Sequence, residues 1–248
     1  MNAAPISRLW RRIHLALAFL TIFPGPRQAC SEADIISSVP FYPLVGAVLG
    51  ALLAAAAWAM HMLLPPLVAG FALVGVCAAL TRGLHWDGLA DVADAWGARA
   101  EGDRFWAIVK DSRMGAFGVL AMVLGVGLQG AALGNLCAAA RLEPIFLAPC
   151  LGRLACLALA SAGRPWARPG LGSLTLRGAT PPALGANLLA AGLLAGLAMP
   201  LTRLLAALGA SSIGLGLLLR LARRHQGLNG DFLGAAIVWT ETMVLVCS

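Results

Sequence analysis

The sequence predicts an all-α, polytopic bundle of helices embedded in a membrane, and three observations predict it. Sixty per cent (60%) of the 248 residues are hydrophobic and only 12% are charged, whereas soluble domains hold roughly 45–50% and 25%. Mean hydropathy is +0.83, and the apolar residues lie in runs that approach or exceed the roughly 17–25 residues a spanning helix needs. The apolar mass is Leu, Ala, Val and Gly, small enough for helices to approach closely inside a bilayer.

The elements follow in order. Arg8, Arg11 and Arg12 precede an apolar stretch at 13–23, the layout of a signal peptide. The next residues, Pro24-Gly25-Pro26-Arg27, lack the small-x-small cleavage pattern. The stretch is also short for a span, so an interfacial N-terminal helix is expected. Spans are expected at 43–64, 66–82, 115–140, 143–163, 181–202, 203–221 and 232–247, which makes six to seven transmembrane helices, the last being short. Pro65-Pro66 separates the first two into a tight hairpin. The Gly-, Pro- and Arg-rich 164–180 loop is the expected flexible element. Residues 1–248 thus form one integral membrane domain, with 81–118 as its candidate active-site segment.

Orientation follows from the cations. Four Arg lie at 8–27, five Arg or Lys at 82–113, three at 164–177 and three at 220–224, while Arg141 and Arg203 fall between the other span ends. By the positive-inside rule the long polar loops face the cytoplasm. The net charge of +7 therefore reflects topology, since the cations form no stripe that would bind nucleic acid. The six cysteines include no C-x-x-C pair and mostly lie in apolar runs, where they act as small hydrophobes.

Six of the eleven acidic residues lie between Asp87 and Asp111. Asp87, Asp91 and Asp94 stand at i, i+4 and i+7, within about 60° of one helical face. One possibility is a solvated stripe. Three like charges at this spacing repel, however, and no cation stands beside them except Arg82 near the start. The interleaved residues are apolar, and unpaired carboxylates near a bilayer are costly. A hard divalent cation, Mg²⁺ or Mn²⁺, resolves both problems.

Downstream, Lys110 and Arg113 are phosphate-type donors, with Asp111 either a further ligand or the group that orients Arg113. The alternative is a cationic flank to the next span. Asn229 and Asp231 open the last helix, as caps, with Asp231 a plausible N-cap, or as site residues. His85 has no His or Cys one turn away, which argues against zinc. It is a proton carrier, a phosphate donor or a structural histidine. Arg153 and Glu241 each lie about 15 Å from the cytoplasmic end of their spans, so they are expected to pair with each other; the alternatives are that Arg153 reaches a substrate phosphate or that each has an unrelated partner.

These blocks resemble the cobalamin synthase (adenosylcobinamide-GDP ribazoletransferase) family. L-H-W-D-G-L-A-D-V-A-D at 84–94 is similar to the family's H-x-D-G-L-A-D-x-x-D signature. F-Y-P-L-V-G at 41–46, K-D-S-R-M-G-A-F-G at 110–118 and N-G-D-F-L-G-A-A-I at 229–237 follow the family order. Ile22 stands where such sequences usually carry Arg, and Val238 where a first Glu is common. The resemblance implies that α-ribazole, or its 5′-phosphate, displaces GMP from adenosylcobinamide-GDP to give adenosylcobalamin or its 5′-phosphate. It further implies Mg²⁺ on Asp87, Asp91 and Asp94, with Asp94 as proton acceptor. Lys110 and Arg113 would hold phosphates, and Asn229 and Asp231 would sit at the rim. Two other classes remain open on the residues alone. A phospholipid synthase of the CDP-alcohol phosphotransferase type also aligns aspartates, but its D-G-x-x-A-R run is absent here. A transporter would use Arg153 and Glu241 along a pathway.

Overall fold

A computed structural model describes residues 5–27 and 29–248. Helix follows helix, and the one β-bridge among the described residues joins Ala167 to Leu228. The expected N-terminal helix is α1 (Pro5–Leu20), which buries Leu15, Ala16 and Leu20 and leaves Arg8, Trp10 and Arg12 exposed. A capping box at Ser31 and Asp34 starts α2 (Glu32–Ser38), and Arg11 pairs with Asp34 at 3.0 Å.

The apolar runs become α3 (Tyr42–His61), α4 (Pro66–Thr81), α7 (Ala116–Ala138), α8 (Leu142–Ala162), α10 (Pro181–Ala198), α11 (Leu201–Arg224) and α12 (Gly230–Val246). Between them lie the short helices α5 (Leu84–Gly97), α6 (Gly102–Val109) and α9 (Leu171–Gly178). Among the described residues five helices are long and apolar enough to cross a membrane, and six if the bent pair α4–α5 forms one span. The 17 residues of α12 reach about 26 Å, just short of a hydrocarbon core of about 30 Å. This helix nevertheless runs buried through the bundle, with Phe232, Ala236, Ile237 and Val244 almost fully covered.

Close helix contacts account for several glycines. A Cβ on Gly50 of α3 would lie 2.0 Å from the Phe146 carbonyl oxygen of α8, and one on Gly70 of α4 would lie 1.9 Å from that of Gly130 on α7. Without a side chain at these points the backbones can touch, which replaces the missing hydrophobic drive between helices in lipid with van der Waals contact.

Polar contacts sort the molecule into two ends. At one end the Trp106 indole donates to the His225 carbonyl at 3.1 Å, and the Leu228 amide donates to Trp166 at 2.6 Å. Arg177 meets Glu32 at 3.1 Å at the same end. At the other, Arg141 and Arg203 both donate to the Ser248 carbonyl oxygen, at 2.8 and 2.6 Å. The cation-rich segments thus share one end and the C-terminus lies at the other. Single cysteines introduced as Ser173→Cys and Ser248→Cys, in a background cleared of native cysteines, should react with an impermeant thiol reagent from opposite sides. Labelling of both from one side would refute this arrangement.

The 164–180 segment is not the flexible loop its composition suggests. It contains α9, whose Leu174, Thr175 and Leu176 are buried, and Arg164 donates to the carbonyls of Leu176 at 2.9 Å and Arg177 at 3.1 Å.

Candidate active site at one end of the bundle

The site begins with a bend. After α4 the chain turns by 98° through Arg82 and Gly83, both at positive φ (56° and 66°). Gly83 adopts that region without a steric penalty, and the Arg82 side chain is tied to the Thr21 carbonyl at 3.3 Å. Helix α5 therefore leaves the direction of the spans and crosses the end of the bundle. It packs on α12 where a Cβ on Gly88 would stand 2.7 Å from the Cα of Asp231.

That crossing divides the candidate residues. Asp87 is exposed and Asp91 half-buried, and neither carboxylate has a hydrogen-bond or ion-pair partner among the described residues. Asp231 joins them from α12, near enough for its charge to act on Asp91. Burial first, then the negative charges of Asp87, Asp231 and Asp94, push the Asp91 carboxyl up to about 7. Held in chelator, the folded protein should bind this proton more tightly than the unfolded chain does. The resulting stabilisation is complete below the ordinary carboxylate pKa of about 3.9 and lost as pH rises through about 7, by linkage. The thermal midpoint should fall across that window, and Asp91→Asn should flatten the fall. An unchanged slope in the variant would count against the assignment.

Asp94 departs from expectation. One of its carboxylate oxygens accepts the Gly115 amide at 2.7 Å and the other accepts the Gly118 amide at 2.8 Å, and the residue is 9% exposed. A carboxylate so committed is poorly placed to take a substrate proton. Among the described residues no three His, Cys, Asp or Glu side chains enclose an ion, so the expected Asp87–Asp91–Asp94 set does not converge. Mg²⁺ is usually held by one or two carboxylates plus substrate phosphate oxygens, with waters completing its shell. Two uncommitted carboxylates, with a third facing them, fit that mode of binding.

His85 stands apart from the carboxylate stripe. It is 5% exposed and lies two residues before Asp87, about 200° around the helix. Its backbone lies against Gly234 of α12. It faces the bundle, on the side of α5 away from Asp87.

Arg113 grips Asp111 through Nε at 3.0 Å and Nη2 at 2.8 Å, and its backbone amide donates to the same carboxylate at 3.0 Å. These bonds hold the Asp111 carboxyl down at about 2. The pair holds the Arg113 guanidinium in place, and Lys110 stands exposed beside it. At α12 the cap is Asn229, whose Oδ1 accepts the Phe232 amide at 3.5 Å. Asp231, the expected N-cap, instead accepts a hydrogen bond from the Asn229 side-chain Nδ2 at 2.6 Å. Deeper in the bundle Arg153 donates to Glu241 and, at 3.2 Å, to the Pro149 carbonyl. Asp231, expected at the rim, lies close enough to the stripe for its charge to act on Asp91, a placement that spacing alone does not disclose. Gly88, which removes a side chain beside Asp87, permits the crossing of α5 on α12.

The fold and this acidic face together define a polytopic helical membrane protein whose carboxylates and phosphate-type donors collect at one end. Comparison with known proteins then names the family. The family described as cobalamin-5-phosphate synthase matches residues 12–248, and the chain belongs to it. A protein of Nitratidesulfovibrio vulgaris named adenosylcobinamide-GDP ribazoletransferase is 41% identical over 98% of this chain and 97% of its own length. Relatives of the same name from Desulforamulus reducens (37% over 96% of this chain and 95% of theirs) and Pseudomonas aeruginosa (37% over 95% and 96%) are also similar. No solved structure matches. The phospholipid-synthase and transporter alternatives give way to this membership.

Proposed function

We propose that the protein is an Mg²⁺-dependent adenosylcobinamide-GDP ribazoletransferase acting at the cytoplasmic face of the inner membrane. It would join adenosylcobinamide-GDP to α-ribazole or its 5′-phosphate. The names of its relatives support the reaction, and one observation of the chain itself carries the site. Blocks 84–94, 110–118 and 229–237 meet at one place, through Gly88 against Asp231 and Asp94 against Gly115 and Gly118.

In this reaction the ribose hydroxyl oxygen forms a bond to the cobinamide-side phosphorus. The bond from that phosphorus to the bridging pyrophosphate oxygen breaks, and GMP leaves with the electron pair. Asp87 and Asp91 would hold the metal, which when bound supplies positive charge to the pyrophosphate oxygens. Lys110 and the Asp111-braced Arg113 orient the phosphates. The hydroxyl proton passes to an uncommitted oxygen of the Asp87–Asp91 face, a role that leaves Asp94 free of the proton.

The test is GMP release from adenosylcobinamide-GDP by purified protein, with and without α-ribazole and Mg²⁺. Release that needs both supports the proposal. No release, or release indifferent to α-ribazole, refutes it.

A further inference from the structure

We infer that Asp94 is a positioning residue: it ties α7 to α5 and so sets where Lys110 and Arg113 stand relative to Asp87 and Asp91, without itself holding the metal. The inference rests on the proposed reaction and deepens it.

The geometry is specific to an aspartate. Its two oxygens face two amides of the α7 N-terminus, those of Gly115 and Gly118. A carboxylate is acceptor-only and so satisfies both. Its charge also suits the positive end of a 23-residue helix. The glycines are shaped to the carboxylate. A Cβ on Gly115 would lie 2.5 Å from one Asp94 oxygen, and a Cβ on Gly118 would lie 2.3 Å from the other. Further contacts run along the same pair of helices, where Gly97 leaves room for the Phe117 ring and Gly125 for the Trp86 indole.

The consequence lies just upstream. Gly115 ends the segment that carries Lys110, Asp111 and Arg113, so the bond to its amide anchors that segment two residues from Arg113. Asp87 and Asp91 stand on the helix that supplies the anchor. One side chain thus joins the carboxylate face to the phosphate donors, and the separation between them depends on it.

The experiment uses the purified full-length enzyme and its two substrates. Asn at position 94 would turn an N–H donor toward one of the two amides, so Asp94→Asn should loosen the anchor. Its KM for adenosylcobinamide-GDP should rise about tenfold or more, while the Mg²⁺ concentration for half-maximal rate stays within about twofold of the parent's. Arg113→Ala should add little to the loss already present in Asp94→Asn, because both act through the same contact to phosphate. Should Asp94→Asn fail to fold, Gly115→Ala strains the same contact from the other side and is expected to reproduce the signature. A rise of about tenfold in the Mg²⁺ requirement would make Asp94 a ligand and overturn the inference. An unchanged KM, or losses that add independently, would overturn it too. Failure of the parent to release GMP would instead refute the proposed reaction.

Discussion

Asp87→Ala and Asp91→Ala should each abolish transfer while the protein still inserts and folds. Neither carboxylate makes a hydrogen bond or ion pair among the described residues, so truncation strips no partner from the fold. For Asp91 it also removes one member of a mutually repelling group. The catalytic loss should be large. A metal clamp on a transferring phosphoryl group contributes several kcal/mol of charge stabilisation, and about 4 kcal/mol corresponds to roughly 10³-fold in rate. The measurement is turnover across an Mg²⁺ titration, with thermal unfolding as the control. Both variants turning over within about tenfold of the parent at every Mg²⁺ concentration would remove the metal from these residues.

Much of this arrangement was legible in the sequence for identifiable reasons. The long apolar runs fixed α7 and α8 to within a few residues, because a span must satisfy its backbone internally and so must be helical. The cation split anticipated which segments meet, and the contacts of Trp106, Arg168 and Arg177 with distant segments now join them. Other features depend on long-range packing that spacing does not encode. The 98° bend needs Arg82 in the left-handed region, which an Arg seldom occupies. Asp94 looks like its two neighbours on a helical wheel. Only the arrival of α7, with amides 21 and 24 residues further along the chain, commits its oxygens. The cap of α12 is Asn229, two residues before the Asp231 that the sequence suggests, a difference of the size that helix ends ordinarily carry. The 164–180 segment misled by composition, since Gly and Pro there position a short helix against α12, with Gly172 close to the Gly230 backbone.

Glu241→Ala should destabilise the bundle more than any substitution on the carboxylate face. Arg153 of α8 is completely buried, and Glu241 of α12 has 8% of its side chain exposed. Gly152 makes room for the pair, since a Cβ there would stand 2.8 Å from Glu241 Cγ. Removing the carboxylate would leave a guanidinium among apolar helices with only the Pro149 carbonyl to bond. Breaking one side of a buried pair costs about 3–5 kcal/mol. Replacing both charges by apolar residues of similar size is often neutral or stabilising. Arg153 Nε and Nη2 already lack acceptors, so removing the guanidinium also removes unsatisfied donors. Arg153→Met combined with Glu241→Leu should therefore recover most of the stability lost in Glu241→Ala, as read by thermal unfolding in detergent. The same double variant separates the two roles open to Arg153. If the pair is structural, the double variant keeps turnover near the parent's. If Arg153 reaches substrate phosphate, the variant folds yet fails to release GMP. Additive stability losses from the two single substitutions would show that the charges do not depend on each other, and the pairing would then explain nothing about how α8 and α12 are held.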